Sequence, residues 1–103
     1  MSSRRRAPLR SRLVLLVGGD SNAGRRCARA VSPLPVVRAK HLDIAKERVR
    51  DMRPIVVVVA DDIAPEETNE LRRVALEQAA VLVRLPEDDD PVALRDALLR
   101  RPA

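Results

Sequence analysis

Four short segments rich in Val, Leu and Ile alternate along the chain with four longer segments in which apolar residues recur every three or four positions. The short segments cover residues 13–17, 35–39, 55–59 and 80–85. Continuous apolar runs are typical of strands covered on both faces, whereas the longer spacing indicates helices with one buried side. The pattern therefore predicts strand and helix in alternation, four times.

Glycine, proline and polar capping residues mark the limits of these elements. Gly18 and Gly19 end the first strand, Asp20 or Ser21 caps the helix that follows, and Pro65 lies in the first turn of the third helix. The four helices are predicted over residues 21–32, 41–52, 65–79 and 90–100. The residues expected to face inward from them are Ala23, Cys27, Ala30, Val31, Leu42, Ala45, Val49, Met52, Leu71, Val74, Ala75, Ala79, Val92, Leu94, Ala97 and Leu98.

Strands that alternate with helices of this length predict right-handed crossovers and a parallel sheet. The first and third strands are uninterrupted and should be central, whereas the second is short and the fourth contains Arg84, as edge strands tolerate. The expected strand order is 2-1-3-4, an α/β three-layer sandwich of the doubly wound, flavodoxin-like type. We expect one domain over residues 12–101, preceded by a disordered, arginine-rich arm over residues 1–11.

The net charge of +5 has its source in the amino-terminal arm, because basic and acidic residues are equal in number from residue 13 onward. Arg4, Arg5 and Arg6 are the residues through which the chain would attract nucleic acid or another anionic surface. Nucleic-acid binding is not expected, since the chain has no aromatic residue to stack on bases and no predicted helix has a basic face for the major groove. A plain disordered tail is the simpler interpretation.

Few residues offer catalytic chemistry. Cys27 is the single cysteine, so an internal disulfide is impossible and a reducing cytoplasm is the expected setting. Its place on the apolar side of the first helix indicates a small core residue. His41 is the only histidine and has no nucleophile at a recognisable spacing. We therefore expect neither an enzyme nor a cofactor, and no apolar run approaches the ~20 residues of a membrane span.

The turn after the first strand has the glycine spacing of a phosphate-binding loop. Gly19, Gly24 and Arg25 are the residues that would contact an anion at the start of the first helix. Arg25 stands where that motif needs lysine, and Arg26 stands where it needs a hydroxyl to bind Mg²⁺. Nucleotide hydrolysis is not expected, and binding of an anion without chemistry stays open as a weak alternative.

Two stretches resemble the receiver domains of bacterial two-component response regulators. Residues 15–26 resemble the first strand, acidic turn and first helix of that family, and residues 53–60 resemble the strand that ends in its phosphoacceptor. Residues 54–100 are similar to its last two strand-helix units. The likeness covers most of residues 13–100, with one strand-helix unit missing.

The resemblance also shows which signature residues are missing. Receivers hold Mg²⁺ with an acidic pair after the first strand and with the phosphorylated aspartate. Gly18 and Gly19 replace the acidic pair, and Ala60 replaces the phosphorylated aspartate. If residues 54–60 match the family's fourth strand instead, Ala60 replaces its hydroxyl residue and Arg84 its lysine. The resemblance thus implies a pseudo-receiver that signals by contact and without phosphorylation.

Three aspartates leave an alternative open. Asp20, Asp61 and Asp62 lie within a residue or two of the family's acidic positions, at the carboxyl ends of the first and third strands. Together they would bind a divalent cation, or Asp61 would accept phosphate. In the opposing interpretation Asp20 caps the first helix, while Asp61 and Asp62 are solvated loop acids.

The resemblance implies pairing through the last two helices and the strand between them, either in a homodimer or with a partner protein. The charged residues expected on this face are Arg72, Arg73, Glu77, Arg84, Arg95 and Asp96. A twofold dimer would pair its arginines with Glu70, Glu77 or Asp96.

Overall fold

The computed structural model describes residues 11–87 and 90–99 of the chain. Its elements, in chain order, are β1 (Ser11–Val17), α1 (Ser21–Val31), β2 (Val36–Ala39), α2 (Leu42–Met52), β3 (Pro54–Val59), α3 (Pro65–Glu77), β4 (Val81–Arg84) and α4 (Pro91–Leu99). The predicted alternation is confirmed, and β1 begins two residues before its predicted start. The prediction that concerns Arg4, Arg5 and Arg6 lies outside the described residues.

The sheet confirms the predicted order. Its four strands are all parallel and are arranged β2-β1-β3-β4, an order consistent with a flavodoxin-like fold. In the central pair, Leu16 of β1 lies beside Val58 of β3, and on its other side Leu16 lies beside Arg38 of β2. The carboxyl ends of β1 and β3 are therefore neighbours at the point where the chain connections diverge.

Two apolar cores lie on opposite faces of the sheet. Val14 and Leu16 of β1 pack against α1 and α4, whereas Leu15 and Val17 pack against α2 and α3. All four of these side chains are buried, because successive residues of a central strand point to opposite covered faces. The result is the predicted three-layer sandwich. None of the helices in the described part of the chain is both long and apolar enough to cross a membrane.

Aspartate side chains cap α1, as predicted, and α4. Asp20 Oδ1 accepts a hydrogen bond from the Ala23 amide at 2.9 Å, and Asp90 Oδ1 accepts one from the Val92 amide at 3.1 Å. At α2 the capping position is held by His41, whose side chain makes no capping hydrogen bond. The amino end of α2 therefore differs from those of α1 and α4.

Two residues expected to face inward are exposed. Ala79 follows the end of α3 with a left-handed backbone (φ 56°), and its amide donates to Leu76 O while the Ala80 amide donates to Ala75 O. This turn closes the helix and directs Ala79 outward. Val92 is 76% exposed in the first turn of α4, because Leu94 and Leu98 hold its buried side. Leu42, Met52 and Ala97 are half-buried, and the other predicted inward residues are buried.

Candidate functional site

The loops that follow β1 and β3 meet at the carboxyl edge of the sheet, as predicted. The Gly19 amide donates to the Asp62 carboxylate, with distances of 3.0 Å to Oδ1 and 3.2 Å to Oδ2. This interaction joins residues 43 positions apart in the sequence and links the two loops. We refer to it as the Gly19–Asp62 strap.

The backbone of the β1–α1 loop requires its two glycines. Gly18 and Gly19 have φ values of 77° and 84°, in the left-handed region that side chains disfavour. A Cβ at Gly19 would also lie 2.8 Å from Ala23 Cβ, too close for an ordinary contact. Gly18 and Gly19 therefore have a geometric role in this loop.

Arg38 holds the same loop from β2. Its Nη2 atom donates to the carbonyl oxygens of Gly18, Gly19 and Asp20 at 3.2, 2.9 and 3.3 Å. Gly24 leaves room for this guanidinium, since a Cβ there would lie 2.5 Å from Arg38 Nη1. The role of Arg38 was not predicted, because its partners lie 18 to 20 residues away and nothing in its local sequence indicates them.

The three aspartates of the alternative interpretation reach one edge of the sheet but face different partners. Asp20 caps α1, the Asp62 carboxylate is bound to the Gly19 amide, and Asp61 is exposed. The expectation of a solvated loop acid fits Asp61, whereas Asp62 is a structural acceptor. Within residues 11–87 and 90–99, no group of three or more His, Cys, Asp or Glu side chains is arranged to hold a metal ion.

The residues proposed for anion binding also have other partners. The Gly19 amide is bound to Asp62, Gly24 lies against the Arg38 guanidinium, and Arg25 is exposed on α1. The carbonyl oxygens of residues 18–20 receive the Arg38 guanidinium. The amide that an anion would use is therefore already occupied by a carboxylate of the chain.

Two cavities flank this edge, one on each face of the sheet. The cavity on the α1 and α4 side, of about 280 Å³, is lined by Asp20, Asp61, Asp62 and Glu87 among others, and we call it the acidic cavity. At its wall Arg26 donates to the carbonyl oxygen of Pro86. The cavity on the other face, of about 300 Å³, lies beside the amino end of α2, and we call it the α2 cavity. Sequence analysis did not predict the α2 cavity.

Cys27 is a core residue, as its spacing indicates. Its thiol is buried beneath α1, and loss of solvent there raises its pKa from 9.0 to about 11, with the nearby positive charge of Arg38 partly opposing the rise. The thiolate is therefore disfavoured at neutral pH. His41 is exposed on the rim of the α2 cavity.

The charged residues expected on an interaction face divide into two groups. Arg73 and Arg84 are exposed on α3 and β4, and Arg72, also exposed on α3, donates through Nη1 to Asn69 Oδ1 of the same helix at 3.1 Å. The other group makes contacts within the fold. Glu77 lies 4.0 Å from Arg50 Nη2 and Glu70 lies 3.1 Å from Lys46 Nζ, both on α2, while Arg95 Nη1 donates to Ser32 O at 2.7 Å and Ala30 O at 3.3 Å at the end of α1.

One large apolar residue of α3 is exposed to solvent. Leu76 on α3 is 77% exposed, and Val81, Leu82 and Val83 of the strand are only half-buried. Because β4 is the last strand of the sheet, its outer backbone groups have no strand partner within the described part of the chain.

No protein-family model, curated protein or solved structure matches the chain. The fold and the contacts of individual residues are therefore the basis for a functional proposal.

Proposed function

We propose that this domain is a non-enzymatic signalling or scaffolding module of the pseudo-receiver kind, which acts by pairing with a second copy of itself. The pairing surface is the outer edge of β4 with the adjoining flanks of α3 and α4, called here the β4 face. The supporting observations are the open edge of β4 and the 77% exposure of Leu76 on α3, the helix that leads into β4. An unpaired strand edge next to an exposed apolar side chain favours association.

The direction of the α3 side chains supports this choice of surface. Glu70 and Glu77 contact α2 and so mark the inner flank of the helix. Arg72 and Leu76 are one turn apart and lie on the other flank, since helical spacing turns them away from the α2 contacts. That flank adjoins the edge of β4.

The charge of the β4 face favours a second copy as the partner. On this face α3 carries Arg72 and α4 carries Asp96. Because α3 and α4 cover opposite faces of the sheet, a twofold axis parallel to β4 sets α3 of each copy against α4 of the other. Basic and acidic surfaces then meet twice in the same dimer.

The contacts at the carboxyl edge of the sheet support a role without chemistry. Asp20 and Asp62 are used as acceptors for backbone amides of this chain, and Arg38 is used as a donor to the β1–α1 loop. Side chains committed to the fold in this way stabilise it and are not positioned around a common reacting atom. The buried thiol of Cys27 fits the cytoplasmic setting that we propose.

Analytical ultracentrifugation of two matched variants tests the proposal. We expect the wild-type chain to sediment as a dimer and Leu76→Asp as a monomer, because an aspartate would lie desolvated in the interface. Ile44→Asp is the control, since Ile44 is a 40% exposed apolar residue on α2, which packs over β1 and β2 and not over β4. A wild-type chain that is monomeric at about 100 µM, in the range of weak association, would contradict pairing with itself. Equal effects of the two substitutions would also contradict pairing through the β4 face.

A further inference from the structure

The α2 cavity has an apolar floor at a position where ligands bind to doubly wound sheets. Val17 ends β1, Leu42 begins α2 and Ile63 follows β3, and all three line the cavity. The carboxyl ends of β1 and β3 adjoin the point where the chain connections diverge, which is the usual ligand crevice of such folds. A volume of about 300 Å³ is at the small end of ligand pockets and suits a molecule the size of an amino acid.

The rim of this cavity carries a lysine, a histidine and two acidic side chains. Lys40 and His41 precede α2, Asp43 lies in its first turn, and Glu67 lies in the first turn of α3. None of these four side chains has a hydrogen bond or ion pair to another described residue. In the acidic cavity, by contrast, Asp62 is bound to a backbone amide of the chain. The polar groups around the α2 cavity are thus available to a ligand.

We propose that the α2 cavity binds a small zwitterion, namely a free amino acid with a branched aliphatic side chain. Its carboxylate faces Lys40 and His41 near the amino end of α2, where the helix dipole favours negative charge. Its ammonium group faces Asp43 and Glu67, and its side chain covers the apolar floor. A mixed rim selects for a ligand with both charges, because a ligand with one charge leaves the opposite pair of rim residues unmatched.

The binding test uses L-leucine and two molecules that each lack one of its charged groups. The full chain is titrated and the backbone amide signals are followed by NMR. We expect saturable shifts confined to residues 40–43 and 63–67, with half-saturation at about 1 mM. Removal of the ammonium group, in 4-methylpentanoate, or of the carboxylate, in 3-methylbutylamine, should weaken binding at least about 10-fold. Shifts that do not saturate with leucine, or equal binding of the three molecules, would overturn the proposal.

A pair of neighbouring glutamates supplies the matched control. Glu67→Gln should weaken leucine binding about 10-fold, whereas Glu66→Gln should leave it unchanged, because Glu66 does not line the cavity. Lys40→Gln should weaken it by a similar factor. All of these residues are exposed, so their substitution should leave the fold intact. The amide spectrum of each variant verifies this. Equal binding by the Glu66 and Glu67 variants would overturn the assignment and leave the pairing through the β4 face unaffected.

Discussion

The Asp62 carboxylate accepts a hydrogen bond from the Gly19 amide, at the edge where doubly wound sheets bind anionic ligands. A carboxylate that accepts a backbone hydrogen bond there links the β1–α1 loop to the β3–α3 loop, 43 residues apart. Arg38 reinforces the same loop through three carbonyl oxygens. At the scale of single residues, the Asp62 carboxylate and the Arg38 guanidinium together hold the β1–α1 loop at this edge of the sheet.

Removal of the Asp62 carboxylate, and with it the Gly19–Asp62 strap, should lower the free energy of unfolding more than removal of the neighbouring Asp61 carboxylate. We expect Asp62→Ala to reduce the free energy of unfolding by about 1 kcal/mol, because the charge-assisted hydrogen bond to Gly19 is lost and solvent partly compensates. Asp61→Ala is the control and should change it by less than about 0.5 kcal/mol, as is usual for exposed residues. Urea denaturation measures both values. Equal effects would show that the strap does not stabilise the fold.

The sequence predicted the elements well because each depends on local chemistry. The apolar runs of β1 and β3 could only be central strands, and Asp20 could be recognised as the cap of α1 from its position alone. Ala79 and Val92 were predicted wrongly, because apolar character does not report the left-handed turn after α3 or the buried side of a nine-residue helix.

The contacts between elements were much harder to predict from the sequence. Arg38 and Arg95 are ordinary arginines in the sequence, and only the tertiary structure places their guanidinium groups on backbone carbonyls of the β1–α1 loop and of α1. The α2 cavity likewise combines residues from three separate segments. Long-range partners of flexible side chains leave no signature in local spacing.

Arg95 links two helices, and its loss should be detected as lower stability. Arg95→Ala removes hydrogen bonds to Ser32 O and Ala30 O, so we expect the free energy of unfolding to fall by about 1 kcal/mol, with the sedimentation of the dimer unchanged. Arg48→Ala, exposed on α2, is the control and should unfold like the wild type. If Arg95→Ala dissociated the dimer without changing stability, Arg95 would belong to the pairing surface instead.

At the scale of the whole molecule, charge is distributed unevenly around the β4 face. The outer flank of α3 carries Arg72, and α4 carries Asp96. Arg72 lies about 10 Å along α3 from its first residue and Asp96 lies about 8 Å along α4, from the helical rise per residue. Both residues are thus near the middle of their helices, where a twofold axis parallel to β4 brings α3 of one copy against α4 of the other.

Exchange of these charges tests the pairing most directly. One variant carries Arg72→Glu, and a second carries Asp96→Lys. Each variant alone should sediment as a monomer, since like charges now face each other, and an equimolar mixture should sediment as a heterodimer because opposite charges meet again at both contacts. A mixture that stays monomeric, or variants that each dimerise as the wild type does, would contradict pairing through the β4 face.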